Sequence, residues 1–239
     1  METNGLNVLV TGASRGLGAA LAGALACEGA RVVLVARSEK ELGEVAERVR
    51  VGGGEAYPLA ADVTEPGAAA RIAGAAAALV GPIELLVNDA GSLGPVPLES
   101  LLATEDAAFE EALAVNLLGP FRLTKAVLGS MLLRGRGVVV NVSSDAATEA
   151  YPSWGAYGAS KAAFEQMTRI WATEIEEPNV RFVVVDPGEM DTLMHEAAMP
   201  GADRAALADP AERARQIVEL LRRIETIPSG SRVTLGRAA

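Results

Sequence analysis

The apolar run at residues 7–11 leads without a break into Thr11-Gly12-Ala13-Ser14-Arg15-Gly16-Leu17-Gly18, and an Ala- and Leu-rich helical stretch follows at once. Glycines placed there let the chain turn tightly between strand and helix. They also bring backbone N–H groups at a helix N-terminus up to a pyrophosphate, where the helix dipole favours negative charge. The context after one strand and before a helix points to a dinucleotide; a plain structural turn is the alternative. Downstream, short apolar runs at 31–36, 55–60, 84–88, 137–143, 180–186 and 232–235 alternate with helix-like stretches at 16–28, 38–50, 66–80, 104–133 (broken near Gly119-Pro120), 154–176 and 210–224. The runs are rich in Val and Leu and poor in charge, as strands buried on both faces must be. The alternation predicts an α/β chain: a three-layer, doubly wound parallel sheet of about seven strands with helices on both faces.

Composition narrows the function. The 239 residues suit one domain, 1–239, with no linker, repeat or polar tract between halves. A formal charge of -10 would repel phosphate backbones and anionic lipid, so neither nucleic acid nor membrane is expected as a partner. One cysteine, Cys27, and one histidine, His195, leave no internal disulfide and no multi-His or Cys/His metal site. The N-terminus lacks a basic leader region, and the longest apolar stretch, 72–87, is interrupted by Gly81, Pro82 and Glu84, so a cytoplasmic location is expected. Residues 187–210 form the least regular segment, which reads as a lid, with a disordered connection as the alternative. Its Met190, Leu193, Met194 and Met199 suit closure over a substrate or packing on the sheet. His195 is expected on the lid surface and Cys27 in the core.

Three further clusters carry chemistry. Asp62-Val63 and Asn88-Asp89-Ala90-Gly91 follow the third and fourth strands, at carboxyl ends where open α/β sheets bind ligands. Adenine contacts and simple Asx turns are the two readings. Tyr157 and Lys161 lie four apart, on one face of a helix if the segment is helical; an ammonium so near favours a phenolate and draws the tyrosine pKa from about 10 toward neutrality. Such a tyrosine can exchange a proton with an alcohol or carbonyl oxygen; an exposed Tyr/Lys pair is the alternative. Ser144 ends the strand 137–143 on the same edge as the glycine loop, and a carbonyl held between Ser144 and Tyr157 would meet two donors. Tyr151 and Trp154 line that pocket or fix its loop. Gly12-Ala13-Ser14-Arg15-Gly16 also matches a nucleophile elbow, with Asp186 and His195 following in hydrolase order, but only one strand precedes Ser14 where that elbow needs several.

Taken in order, TGASRGLG, Asp62-Val63, Asn88-Asp89-Ala90-Gly91, Asn116, Asn141-Val142-Ser143-Ser144, Tyr157-x-x-x-Lys161 and Pro187-Gly188 with Thr192 resemble the short-chain dehydrogenase/reductase family, in its single-domain branch. The resemblance implies a Rossmann fold of strand order 3-2-1-4-5-6-7 and a carbonyl/alcohol oxidoreductase acting on a small molecule. It implies that Tyr157 is the general acid/base, Ser144 binds the substrate oxygen, Lys161 lowers the Tyr157 pKa and holds the nicotinamide ribose, and Asn116 holds a water that links Lys161 to solvent. Gly12, Ser14, Arg15, Gly16, Leu17, Gly18, Arg37, Asp62, Val63, Asn88, Ala90, Gly91, Pro187, Gly188, Met190 and Thr192 would contact the cofactor, and Ala146, Tyr151, Trp154 and Glu189 the substrate. NAD-preferring relatives place an acid at the end of the second strand, whereas this chain has Ala36-Arg37 there and Arg15 in the glycine loop. Two guanidiniums suit a 2′-phosphate, so NADP(H) is expected over NAD(H). A homodimer or homotetramer is implied, although the chain is short of a glycine-rich tail. Asp89 departs from the commoner Asn. An NADP(H)-binding redox sensor without turnover is the rival reading, and the complete Ser/Tyr/Lys set speaks against it.

Overall fold

The computed structural model describes residues 1–236. Seven parallel strands form one sheet in the order β3-β2-β1-β4-β5-β6-β7. They are β1 (Asn7–Thr11), β2 (Arg31–Ala36), β3 (Glu55–Ala60), β4 (Leu85–Asn88), β5 (Gly137–Val142), β6 (Val180–Asp186) and β7 (Arg232–Thr234). Helices α1 (Gly16–Cys27), α2 (Glu39–Val51) and α8 (Pro210–Arg222) cover one face. The other is covered by α3 (Ala68–Val80) and α5 (Gly119–Leu133), joined by Trp171 from α6 (Gly155–Glu174).

Period-two alternation explains the layers. Val8, Val10, Val32 and Leu34 point to Leu21, Leu25, Leu42 and Ile217 on one side, while Leu9, Val33, Val35 and Phe182 point to Ile72, Leu123 and Met131 on the other. Each β-branched strand residue therefore meets a helix whichever way it faces.

Three expectations are corrected. The helical stretch 104–133 is not broken at Gly119-Pro120: α4 (Asp106–Leu113) passes through a π-helical turn, Ala114–Leu118, into α5. Pro120 lacks an N–H and crowds the preceding turn, and the wider π turn absorbs both faults. The stretch 187–210 is more regular than expected. It holds a short helix α7 (Leu193–Ala198) and a bridge between Met190 and Ala208, with Asp191 N–H donating to Ala208 O (2.9 Å) and Ala208 N–H to Glu189 O (3.1 Å). Cys27 is exposed rather than in the core, because it sits on the last turn of α1 where the buried stripe of Leu21, Leu25 and Ala26 has turned away. No helix among the described residues is long and apolar enough to cross a membrane.

Phe182 fills the core between sheet and helix, its ring stacked on Trp171 at 6.3 Å and 7°. Phe182→Ala is expected to lower the unfolding free energy by about 3–5 kcal/mol, read from the urea midpoint at unchanged m-value.

Candidate functional site

All seven strands run the same way, so their carboxyl ends share one edge of the sheet, and a cavity of about 910 Å³ opens there. Gly12, Ser14, Arg15, Gly16 and Leu17 form its floor. A Cβ on Gly12 (φ +70°) would fall 2.8 Å from Ala90 N, and one on Gly18 would fall 2.5 Å from Gly12 O. Side chains are thus excluded where the chain must pack backbone on backbone, which leaves the loop's N–H groups and the start of α1 facing the cavity. Thr11 Oγ1 accepts from the N–H groups of Asp89 and Ala90 (3.1 and 3.2 Å), tying the loop's strand to the end of β4.

At the far end Arg37, Asp62 and Val63 line the cavity. Asp62 Oδ1 accepts from Thr64 N–H (2.8 Å) and Thr64 Oγ1 (2.7 Å), so the residue closes an Asx turn and borders the cavity as well. Burial works against the carboxylate, but these bonds and the Arg37 charge hold its pKa below the usual value. Arg48 and Ser38 also line this end. Ser38 is legible in the sequence as an N-cap, Ser-x-x-Glu to Glu41, and it accepts from Glu41 N–H at 3.3 Å. Arg48 reaches the cavity only through the packing of α2, which spacing along the chain does not reveal. Ala90, Gly91, Met190 and Thr192 complete the wall, and the segment 187–210 rests on the loop: a Cβ on Gly16 would meet Thr192 Cγ2 at 3.4 Å, and one on Gly91 would meet Met194 Cε at the same distance.

The structure corrects Asn88. Its side chain does not line the cavity; strand alternation turns it inward, where Nδ2 donates to Asn141 Oδ1 (2.8 Å) and Thr124 Oγ1 (3.3 Å). Pro187 and Gly188 lie just outside the cavity, their turn held by Gly188 N–H donating to Asp186 Oδ1 at 2.9 Å.

Beside the cavity α6 carries Tyr157 and Lys161 one turn apart, both buried. Lys161 Nζ lies 5.7 Å from the Tyr157 ring centroid and donates to Val142 O at 2.8 Å. Burial pushes its pKa down to about 8, against the pull of Asp89 and Glu165. Tyr157 departs from expectation: its pKa is raised, first by burial and then by the carboxylates of Asp89, Asp145 and Asp186, with the nearby Ser144 hydroxyl a partial offset. The ammonium is bonded to a carbonyl, and burial together with the nearby carboxylates holds the phenol protonated. The hydrogen of Ser144 goes to Asp145 Oδ1 (2.9 Å), and Ser144 Oγ accepts from Ala146 N–H (3.2 Å).

Asn116 sits in the π turn, fully buried. Its Nδ2 hydrogens go to Ser92 O and Ser160 Oγ, and Oδ1 accepts from Ser92 N–H, all at 2.8 Å. Ser160 Oγ in turn donates to Tyr157 O at 2.7 Å. Asn116 therefore braces the turn of α6 that bears Tyr157, and makes no direct bond to Lys161. Trp154 meets the Tyr157 ring edge-on at 5.8 Å, Ala146 packs on Tyr157, and Tyr151 Oη donates to Asp145 Oδ2 at 2.9 Å. Glu189 is exposed, 3.8 Å from His195 Nε2. His195 is mostly covered instead of lying on the lid surface, because α7 turns it toward the protein. The hydrolase triad does not assemble: Asp186 is bonded to Arg232 and the Gly188 N–H, and His195 faces Glu189.

Asp89 stands out in the sequence only as a departure from pattern, and the structure gives it an environment. The residue as a whole is partly buried and its carboxyl is enclosed, with Oδ2 2.7 Å from where a Gly18 Cβ would stand. Burial raises its pKa from 3.8 to about 7, opposed by Lys161 and the Gly18 N–H. An acid with a raised folded pKa adds stability that is complete below its unfolded pKa and is lost as pH rises through its folded pKa. Asp89→Asn removes that loss, so its stability margin over wild type should widen by about 2–3 kcal/mol between pH 5 and pH 8, measured by thermal melts across that range.

The short chain dehydrogenase family model matches residues 6–203. A short chain dehydrogenase of Pseudocercospora fijiensis is 36% identical over 229 residues, covering 94% of this chain and 72% of that protein. Among solved structures, a 7α-hydroxysteroid dehydrogenase complexed with NADH and 7-oxo glycochenodeoxycholic acid superposes with a TM-score of 0.90 at 26% identity, covering 98% of this chain and 94% of that one. An NAD⁺-bound xylitol dehydrogenase superposes at 0.87 and 26%, covering 98% and 99%. With its sheet order, glycine loop and Tyr/Lys helix, the chain belongs to the short-chain dehydrogenase/reductase family.

Proposed function

We propose that the chain is an NADP(H)-dependent oxidoreductase that interconverts a carbonyl and a secondary alcohol on a small molecule, with Tyr157 as general acid/base. The observation that carries this reading is the buried Tyr157 phenol, one helical turn from Lys161, beside a cavity floored by glycine backbone. A nicotinamide cofactor, when bound, supplies or accepts the hydride. The protein's part is proton transfer and orientation. The protonated phenol is the form that gives a proton to an oxygen gaining charge, and Ser144 is the second donor to that oxygen. Lys161 stays largely cationic at neutral pH, since its pKa of about 8 lies above it, and so supplies positive charge where negative charge develops. Asn116, through Ser160, keeps the phenol in place. Exposed Leu118, Phe121 and Leu132 around α5 and Ile170 on α6 suit assembly into a homo-oligomer.

Tyr157→Phe is expected to abolish turnover in a panel of carbonyls and alcohols followed at the NADPH absorbance band, while NADPH binding, read by its fluorescence, stays within about twofold. Retained turnover overturns the reading.

For the cofactor, the adenosine end of the cavity carries Arg15, Arg37 and Arg48 against Glu41. A guanidinium fork binds a phosphate by two bonds, and an acid that would accept from a free ribose hydroxyl is absent from the end of β2. Arg15→Ala/Arg37→Ala should lower kcat/KM for NADPH by about tenfold or more and change that for NADH by less than about threefold. Initial rates with each nucleotide decide; a wild-type preference for NADH reverses the assignment.

A further inference from the structure

We propose that Arg232, in the C-terminal strand β7, is a positioning residue of the active site: one guanidinium that fixes the strand ends bearing Ser144 and Pro187-Gly188 against the helix bearing Tyr157 and Lys161. This rests on the reading of Tyr157 above. Arg232 lies beyond residues 6–203, the span of the family match, and no sequence motif marks it.

Its bonds reach α6 and the ends of β5 and β6. Nε donates to Glu165 Oε1 (2.9 Å) on α6, one turn beyond Lys161. Nη2 donates to Asp186 Oδ2 (2.8 Å) at the end of β6 and to the carbonyl of Ser144 (3.2 Å), and Nη1 to Thr234 Oγ1 (2.7 Å), which aims the fork. The two carboxylates also carry the polar groups around the site. Asp186 Oδ1 accepts the Gly188 N–H that shapes the turn beside the cavity, and Glu165 Oε1 accepts from Ser143 Oγ at 2.7 Å. Glu165 and Asp186 are 1% and 4% exposed, so water is a poor substitute partner for either, although Glu165 also holds Arg169 Nη2 at 3.0 Å. A planar cation with donors in fixed directions is the side chain that can hold two carboxylates and a carbonyl at once; a lysine offers charge without the fork. Ser144 is thereby held through its backbone carbonyl, at the residue whose hydroxyl is proposed to meet the substrate oxygen. An error of about 1 Å in such a group is costly to rate.

The test compares Arg232→Lys, Arg232→Met and Arg232→Met/Asp186→Asn with wild type. The double variant guards against misfolding, since Asp186→Asn keeps an oxygen that can accept from Gly188 N–H and leaves one buried charge fewer without a partner. Arg222→Met, which breaks an exposed pair with Glu28, is the control. In NADPH fluorescence titrations Arg232→Met and the double variant should bind about tenfold more weakly, and Arg232→Lys should fall between them and wild type. With a compound that wild type turns over, kcat for both Met variants should drop about a hundredfold, more than KM rises, and guanidinium ion far below denaturing concentration should restore part of the rate in Arg232→Met. NADPH binding and kcat within about twofold of wild type in the folded double variant, or an equal loss in Arg222→Met, overturn the proposal. Turnover surviving in Tyr157→Phe overturns the earlier reading instead, and the NADPH titrations still decide the part played by Arg232.

Discussion

Parallel pairing of the strands sets the terms for everything at the active edge. Ala36 pairs with Ala60, Asn88 with Asn141 and Asp186 with Thr234, so neighbouring strands run out of ladder together. Below that line both faces are apolar; above it each strand leaves backbone and side-chain polar groups that packing helices cut off from water. An unsatisfied buried donor or acceptor costs about 1–3 kcal/mol, so these groups must find one another. They do so largely in chains, with Asn88 Oδ1 left over: Asn88 Nδ2 to Asn141 Oδ1, Asn141 Nδ2 to Thr168 Oγ1 (2.8 Å), and Thr168 Oγ1 to Phe164 O (2.8 Å). That chain crosses from β4 through β5 into α6. It locks the height of α6 on the sheet, and with it the positions of Tyr157 and Lys161.

Charge is the second constraint. The chain carries a net -10, and its site gathers Asp89, Asp145 and Asp186 around one phenol. An anionic cofactor would meet repulsion there if each carboxylate were free. Asp186 is neutralised by Arg232, and burial raises the Asp89 pKa to about 7, so that near neutrality it carries roughly half its charge. Lys161 and Asp89 support one another's ionised forms, each opposing the other's desolvation. An Asp where the pattern favours Asn is therefore compatible with the proposed anionic cofactor: its enclosure against Gly18 weakens the charge that its identity would add.

What is legible in the sequence divides along a physical line. Periodicity is local, and it shows the strands, their order once the resemblance is drawn, and the helical face shared by Tyr157 and Lys161. The glycine loop is legible because the residues that need freedom at positive φ adjoin in the chain. Contacts between distant segments are not. Arg232 meets Glu165, Asp186 and Ser144 across intervals that no spacing rule covers. Asn88 is misplaced by sequence reasoning because position at a strand end does not say which way the side chain points. Cys27 is misplaced because the last turn of α1 has rotated past the sheet. The Tyr157 pKa goes the other way for a related reason: spacing reports the ammonium nearby, while burial and three carboxylates from other elements outweigh it.

Ser144 shows how these constraints bear on catalysis. A serine has one hydrogen, and here it goes to the Asp145 carboxylate, which also accepts from Tyr151 Oη. For Ser144 to donate to a substrate oxygen, as its proposed role requires, that hydrogen must turn away from Asp145. A bond to a carboxylate contributes about 1.5–3 kcal/mol, against about 0.5–1.5 kcal/mol for one to a neutral acceptor. Exchanging the first for a bond to a ground-state carbonyl is thus unfavourable. Exchanging it for a bond to an oxygen that is becoming an alkoxide is close to even. Asp145 retains the Tyr151 hydroxyl in either case, so it is not left bare. In that proposed role the competition would make Ser144 a better ligand for the transition state than for the substrate, and it is that difference, rather than binding as such, that raises a rate.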